Sequence, residues 1–156
     1  LGAEQSGHIA AIGYDLYITL LEQAVRELRE GITEEEVDTE LKLPIAASIP
    51  ESLVSDTQLR LVLYKQLSSA TQIDDCLQME QEWMDRFGTL PPPVTNLIEL
   101  MKIKIAARFL KIKAITFQKT GLLYEIHSSS NIPTDFFLEK VKEDPKKYKI
   151  LLMENF

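Results

Sequence analysis

The sequence lacks the features that mark disulfide-rich, membrane-spanning or disordered proteins. Its 156 residues include a single cysteine, Cys76, so no disulfide can form within the chain, and this usage is typical of a reducing compartment. Charged residues interrupt every apolar run before it reaches the roughly 20 residues that a membrane helix needs. A hydrophobic content of 45% is nevertheless enough for a packed core. We therefore expect one folded domain, or a domain with an arm, and no signal peptide is visible. Because the chain begins at Leu1 and not at a methionine, we expect a fragment of a longer chain or a processed product.

Residues that catalysis or metal binding would need are also scarce. The two histidines, His8 and His127, lie far apart, and neither belongs to the closely spaced pairs that are typical of metal sites. No glycine-rich loop has the spacing that binds phosphate groups. Adjacent carboxylates such as Asp74 and Asp75 are typical of a solvated helix face. We therefore predict no catalytic residue and no metal site, and an enzyme is the weakest of three functional hypotheses.

Basic residues are fewer than acidic ones, and both kinds are unevenly distributed along the sequence. The net charge of −7 argues against a domain whose main task is to bind duplex DNA. Residues 30–40 contain six acidic side chains and no basic one, whereas residues 102–119 contain six basic side chains and no acidic one. These runs are either solvated surfaces or charges that guide the docking of another domain. An alternative function, a nucleic-acid-binding accessory domain, would use the basic run, but its cations alternate with predicted core residues; they are Lys102, Lys104, Arg108, Lys111 and Lys113.

The spacing of apolar residues predicts an α+β fold, in which a helical layer packs on a small, mostly antiparallel sheet. The predicted elements, in chain order, are a helix over residues 14–30, a half-buried strand in VDTELKLP, helices after Asp56, after Thr71 and from Pro92 to Leu110, a hairpin of KAITFQ and GLLYEIH, a helix after Pro133 and a strand in YKILLME. In the first strand, Val37, Thr39, Leu41 and Leu43 are predicted to share the buried face. The other predicted core residues include Leu59, Val62, Leu63, Leu67, Ala70, Cys76, Leu97, Leu100, Met101, Ile105, Phe109, Phe136, Phe137 and Val141.

One polar cluster lies near the end of a predicted helix. In QMEQEWMDRFG, the side chains of Glu82, Asp85 and Arg86 stand at i, i+3 and i+4 and therefore share one helix face. Gly88 follows at once and is expected to end the helix. One interpretation is a local Glu82–Arg86 ion pair on a solvated surface. The other is a mixed-charge patch that docks on another protein, and the residues alone leave both open.

Several ordered segments resemble the C-terminal part of bacterial transcription-repair coupling factors. These segments are LGAEQSGHIAAIGYDLY, ELKLP, LRLVLYKQLSSA and MDRFGTLPPPV. The resemblance covers most of the chain and is weakest after Gly121. It implies a piece of a large, helicase-like, ATP-hydrolysing DNA translocase that displaces stalled RNA polymerase and recruits the nucleotide-excision-repair protein UvrA in the bacterial cytoplasm. It also implies a division of the chain into the tail of the translocation motif (residues 1–13), a connecting helix (14–31), an acidic linker (32–36) and a C-terminal regulatory domain (37–156).

The same resemblance implies roles for particular residues. Gln5 matches a glutamine of the translocation motif, but the arginine of that motif is not in this chain, so Gln5 is not expected to act here. The family's C-terminal domain has no activity of its own; it docks on the N-terminal UvrB-like module of the same protein and covers the UvrA-binding surface. Glu82, Asp85 and Arg86 match positions of that interface. ATP, Mg²⁺ and double-stranded DNA are expected only for the full-length protein, with no cofactor and no membrane for this piece.

Overall fold

The computed structural model describes residues 37–152, and these residues form an α+β domain. The elements, in chain order, are β1 (Glu40–Lys42), α1 (Thr57–Ser68), α2 (Ile73–Phe87), α3 (Pro92–Phe109), β2 (Ile112–Gln118), β3 (Gly121–Ile126) and α4 (Thr134–Glu143). This order confirms the predicted α+β class and the arrangement of a strand, three helices, a hairpin and a helix. The predicted helix over residues 14–30, the acidic linker and Gln5 lie outside the described residues.

The sheet has the strand order β1-β2-β3. Strands β2 and β3 form the predicted antiparallel hairpin, in which Phe117 is paired with Leu122. Strand β1 pairs with β2 in parallel, with Leu41 opposite Ile115. Three helices separate β1 from β2 along the chain, which is the kind of long connection that a parallel pair requires. The longer ladder of this mixed sheet is thus antiparallel, as predicted, and the shorter ladder is parallel.

The chain around β1 has the predicted alternation of buried and exposed side chains. Thr39 is fully buried, and Val37, Leu41 and Leu43 are partly buried, because successive side chains of a strand point to opposite faces. The hydroxyl of Thr39 donates a hydrogen bond of 2.7 Å to the carbonyl oxygen of Ile112, which satisfies a polar group inside the protein. This bond attaches the beginning of the domain to the beginning of β2.

Local signals in the sequence set the ends of the helices. The carboxylate of Asp56 accepts hydrogen bonds from the backbone N–H groups of Gln58 and Leu59 at 2.8 and 3.4 Å, and so caps α1. Gly88 ends α2 with a φ of 80°, a conformation that glycine adopts without steric cost. Prolines occupy the first turn of α3. Backbone N–H groups in the first turn have no intrahelical acceptor, so the absence of an N–H in proline removes no helix hydrogen bond there.

The hydrophobic core lies between α1, α2 and α3. Its largest fully buried side chains are Leu63, Leu67, Cys76, Trp83, Val94, Leu97, Ile98 and Met101. Full burial of one such large apolar side chain is worth about 1.5–3 kcal/mol, so most of the apolar stabilisation of the domain resides in this layer. A smaller cluster joins α3 to the sheet through Ala107, Ile112 and Ile115.

Two residues predicted for the core are exposed instead. Val62 is 59% exposed. The buried face of α1 includes Tyr64, which lies about 200° around the helix from Val62, so Val62 is on the opposite side. The buried hydroxyl of Tyr64 accepts a hydrogen bond of 2.7 Å from the backbone N–H of Ile49, which holds that face inward. Phe109 is 83% exposed, since it ends α3 just before Lys111, whose φ of 55° turns the chain into β2.

The end of the described chain packs less tightly than predicted. Helix α4 has no fully buried residue; Phe137 and Val141 are partly buried, whereas Phe136 is exposed. The prediction of a strand in YKILLME is wrong for the residues that the structure describes, because residues 148–152 pair with no strand and Leu152 is 93% exposed. Between residues 37 and 152, no helix is both long enough and apolar enough to cross a bilayer.

Candidate docking surface on helix α2

Helix α2 is held in place through one face, which leaves its other faces in solvent. Cys76 and Trp83 are seven residues apart, or about two turns, so both point to the same side, and both are buried in the core next to α3. Burial raises the pKa of the Cys76 thiol, which disfavours the reactive thiolate at neutral pH. The structure therefore agrees with the prediction that Cys76 is a small core residue.

The predicted charged cluster lies on the exposed side, near the C-terminal end of α2. Arg86 Nη1 is 3.5 Å from Glu82 Oε1, and the two side chains are 44% and 49% exposed. The guanidinium of Arg86 also lies 5.0 Å from the centre of the Phe87 ring. Asp85 takes no part in this ion pair; its Oδ1 accepts a hydrogen bond of 3.0 Å from Gln81 Nε2. The structure thus brings Glu82 and Arg86 together and places Asp85 beside them.

This exposed ion pair contributes little to the fold. Solvent screens the two charges, and pairs at i and i+4 on a helix stabilise it by about 0.3–0.5 kcal/mol. Glu82 and Arg86 can therefore change partners at small cost to the domain. Their helix is anchored by Trp83, so the charges have a fixed position from which to meet another surface.

A second exposed flank of α2 is apolar, and none of its residues was among the predicted site residues. Ile73, Leu77 and Met84 mark the helical spacing in the sequence, yet all three side chains are exposed. Met84 lies about 200° around the helix from Glu82, so the apolar and charged flanks are on opposite sides of the buried face. The signal that could have shown this was the presence of Cys76 and Trp83, which mark a different side of the helix as the interior.

The N-terminus of α2 is capped by an acidic side chain. Asp75 Oδ2 accepts hydrogen bonds of 2.9 Å from the backbone N–H groups of both Thr71 and Gln72. The hydrogen bond from Thr71 has the largest effect on the pKa of the Asp75 carboxyl, and together with the bond from Gln72 it lowers this pKa below its usual value. Asp75 therefore orders the start of the helix that carries the charged cluster. The helix begins after Thr71, as predicted, and its N-cap residue is Gln72.

Lys102 on α3 connects the two helices by an electrostatic contact. Its Nζ is 2.7 Å from Glu99 Oε1 and 3.3 Å from Glu80 Oε2 on α2. The hydrogen bond to Glu99, together with that to Glu80, raises the pKa of the Lys102 ammonium. Contacts of this kind keep α2 in register on α3.

The basic run does not form a free cationic surface. Each of four of its members lies within 4.0 Å of a carboxylate oxygen: Lys102 beside Glu80 and Glu99, Lys104 and Arg108 beside Asp38, and Lys113 beside Glu125. These pairings reduce the positive potential that phosphate binding requires. They weigh against the nucleic-acid-binding alternative.

The described part of the chain contains no metal-binding cluster, and its histidine lies in a loop. His127 Nδ1 lies 2.7 Å from the Ser129 hydroxyl in the loop that follows β3. Across residues 37–152, no group of three or more His, Cys, Asp or Glu side chains is arranged to hold a metal ion. The arrangement of charged and apolar side chains on α2 is suited to contact with a protein.

Comparison with known proteins identifies similar sequences and a similar fold. The model of the TRCF domain family matches residues 43–137. The transcription-repair-coupling factor of Haemophilus influenzae is 31% identical over 156 residues, which cover 96% of this chain and 13% of that protein. The protein of the same name from Myxococcus xanthus is 39% identical over 123 residues, which cover 79% of this chain and 10% of that protein. The chain thus spans about an eighth or less of these relatives.

A solved structure extends this similarity to the fold. It is the crystal structure of the C-terminal domain of a transcription-repair coupling factor, which superimposes with a TM-score of 0.62. The match covers 67% of this chain and 66% of that chain at 19% sequence identity. At that identity the likeness shows the fold alone.

Proposed function

Because the chain belongs to the TRCF domain family, we propose that it is the regulatory domain of a transcription-repair coupling factor and docks on the UvrB-like module of the same protein. Docking covers the UvrA-binding surface of that module and so represses the recruitment of excision repair. The domain itself performs no chemistry in this proposal. The observation that carries it is the exposed position of Glu82 and Arg86 on a firmly anchored helix.

The charged flank of α2 suits a contact that must be specific and yet separable. In the free domain, solvent screens the Glu82–Arg86 pair, so little is lost when either side chain turns to a partner. In a closed interface the same charges leave water, and a partner with wrongly placed charges is rejected at a cost of several kcal/mol. The three charged residues therefore select the partner, while a change elsewhere in the protein releases it.

The remaining activities belong to the whole protein in this proposal. We assign ATP hydrolysis with Mg²⁺, movement on double-stranded DNA and displacement of RNA polymerase to regions other than residues 37–152. Gln5 and the rest of residues 1–13 are the end of the translocation motif, and residues 14–31 connect that motif to the domain. The setting of all these steps is the bacterial cytoplasm.

The direct test measures the affinity of this chain for the isolated UvrB-like module. The variant carries Glu82→Ala, Asp85→Ala and Arg86→Ala, and we expect its dissociation constant to rise by about tenfold or more. A control with Glu51→Ala, Asp135→Ala and Lys142→Ala changes the same number of charges of each sign at exposed positions. The control should bind like the wild type.

Two results would count against the proposal. Equal affinity of a folded triple variant and the wild type would show that the cluster is only a solvated helix face. Tight binding of the domain to duplex DNA, weakening steeply with added salt, would favour the nucleic-acid-binding alternative.

A further inference from the structure

The three-stranded sheet has two edges, and they differ in their protection against pairing with another strand. Strand β1 has three residues, and the exposed side chains of Glu40 and Lys42 form an ion pair of 3.3 Å on it. Strand β3 has six residues, contains neither proline nor lysine, and carries its one charge on Glu125. Short length and charged side chains discourage the addition of a further strand at an edge. The edge of β3 is therefore the more open of the two.

The free backbone groups of β3 belong to alternate residues. His127, which follows the strand, donates its backbone N–H to the carbonyl oxygen of Lys111 at 3.0 Å, on the side of β2. Because the backbone groups of successive strand residues point to alternate sides, the odd-numbered residues of β3 face β2. The even-numbered residues, among them Leu122 and Tyr124, direct their N–H and C=O groups away from β2. Within residues 37–152, no other strand pairs with this side of β3.

An apolar row leads from the core to this open edge. Leu122 is paired with Phe117 across the hairpin, and Tyr124 is paired with Ile115. Ile115 is buried in the cluster that joins α3 to the sheet, whereas the other three side chains are between 50% and 54% exposed. Burial of such apolar surface is worth about 25 cal/mol per Å². The row therefore lacks an opposing surface at the edge, where the free backbone groups also lie.

We propose that β3 pairs with β3 of a second copy of this chain, in antiparallel orientation about a twofold axis at Leu123. The two three-stranded sheets then form one continuous sheet. In this register Leu122 of each copy lies opposite Tyr124 of the other, and their free N–H and C=O groups form the hydrogen-bonded pairs. The two apolar rows also meet side by side. The occupant is a second copy because one twofold axis satisfies both the backbone groups and the apolar side chains of the edge.

The charges on the strand permit this approach. Two copies repel each other overall, since each chain has a net charge of −7. The carboxylate of Glu125 lies 3.8 Å from Lys113 Nζ, which offsets its charge. In the proposed register Glu125 lies opposite Gly121 of the second copy, so no like charges face each other across the new ladder. The β3 edge thus combines an apolar row with little net charge.

The pairing is independent of the docking proposed for α2. Helix α2 packs on α3, whereas the pairing uses the edge strand of the sheet, so the charged side chains of α2 stay accessible. The new ladder involves at most the six residues of β3 in each copy, which is small for a protein interface. We therefore expect a reversible dimer with a dissociation constant of about 10–100 µM.

Sedimentation equilibrium of the full 156-residue chain tests the dimer at about 5–500 µM protein, with a reducing agent present. Leu122→Lys places a cation in the apolar row and should raise the dissociation constant by about tenfold or more. Val62→Lys is the matched control, because Val62 is an exposed apolar residue of α1. The control should dimerise like the wild type, and urea denaturation shows that each variant is folded.

Disulfide formation tests the register. At the twofold axis, the two copies of residue 123 form a pair without mutual hydrogen bonds, so their Cα atoms are about 4.5 Å apart, within disulfide range. Residue 125 is two positions from the axis, so its two copies are about 13 Å apart and out of range. With oxidised glutathione as the oxidant, Leu123→Cys should give a linked dimer and Glu125→Cys should not. Cys76 is buried, so the wild type should give none.

A further variant tests the chain's own exposed apolar segment, residues 150–152, as the occupant of the edge. Ile150→Lys combined with Leu151→Lys should dimerise like the wild type, whereas stronger dimerisation would show that this segment competes for the edge and would overturn the proposal. A wild-type chain that stays monomeric at about 500 µM would overturn it too. So would equal weakening by Leu122→Lys and Val62→Lys, or equal yields of linked dimer from the two cysteine variants.

Discussion

Two parts of the domain both contain apolar side chains at the spacing of helices or strands, but they differ in how completely these side chains are buried. The helical layer of α1, α2 and α3 encloses eight of the nine largest fully buried side chains of the described chain. The C-terminal part, from β3 to residue 152, contains helix α4 without a fully buried residue and exposes Tyr124 and Phe136. The comparison shows that apolar spacing alone does not decide which side chains are buried, because burial requires an opposing surface.

The position of α3 explains the difference. This helix has α2 on one side and packs on β1 and β2 on another, so its apolar residues meet a neighbour on most of its circumference. Strand β3 is at the edge of the sheet, and only its last residue, Ile126, packs against the cluster that joins α3 to the sheet. The side chains of Leu122 and Tyr124 therefore remain exposed, although they alternate as a half-buried strand should.

The largest expected effect is the loss of a core aromatic side chain. Trp83→Ala should lower the free energy of unfolding by about 3–5 kcal/mol, because it leaves a large cavity between α2 and α3. Phe136→Ala in α4 should lower it by less than about 1 kcal/mol. Urea denaturation measures both values. A loss at Phe136 as large as that at Trp83 would contradict the distinction between the two parts.

A smaller effect is expected from the polar group at the edge of the helical core. Tyr64→Phe removes the hydroxyl that accepts from the Ile49 N–H, so the free energy of unfolding should fall by about 1–3 kcal/mol. Tyr124→Phe, on exposed β3, is the matched control and should change it by less than about 0.5 kcal/mol. Equal changes at the two tyrosines would show that this hydrogen bond is not a stabilising contact of the core. Burial raises the pKa of the Tyr64 hydroxyl, so it stays protonated at neutral pH.

The cap of α2 should appear in the dependence of stability on pH. The pKa of Asp75 is lower in the folded state than in the unfolded state, where it is about 3.9, so its contribution is present above that value. The contribution is lost as the pH falls through the folded pKa. Asp75→Asn should therefore destabilise the domain at neutral pH and make little difference well below pH 3.9, as measured by urea denaturation. Asp74→Asn is the control, and an equal effect at both pH values would contradict this role.

The smallest expected effect concerns the charged cluster itself. A double-mutant cycle of Glu82→Ala and Arg86→Ala should give a coupling in the free energy of unfolding of about 0.3–0.5 kcal/mol. A coupling above about 2 kcal/mol would mean that the pair holds the fold together and is not available to a partner. The cycle thus separates a structural ion pair from a docking surface.

Much of the helical layer was predictable because local signals and long-range packing agree there. The sequence correctly predicted a helix after Asp56, a helix end at Gly88 and the burial of Cys76. Val62 and Phe109 were wrongly placed in the core. Their exposure depends on the hydrogen bond of Tyr64 to a distant loop and on the turn at Lys111, and helical spacing contains neither.

The candidate site was predictable only in part. The i, i+4 spacing correctly predicted the contact between Glu82 and Arg86, but a spacing rule cannot tell that Asp85 bonds to Gln81 instead. The contact of Asp38 with Arg108 joins two opposite charge runs that the sequence presents separately. It could not be predicted, because the distance between the runs is set by the parallel pairing of β1 and β2.

The most direct measurement is the affinity of UvrA for the full-length protein. With Glu82→Ala, Asp85→Ala and Arg86→Ala, we expect the domain to release the UvrB-like module. The dissociation constant of UvrA for this variant should then be lower than that for the wild type by about tenfold or more. The variant with Glu51→Ala, Asp135→Ala and Lys142→Ala should bind UvrA like the wild type. An unchanged UvrA affinity in a folded triple variant would contradict the assignment of the α2 charges to the docking surface.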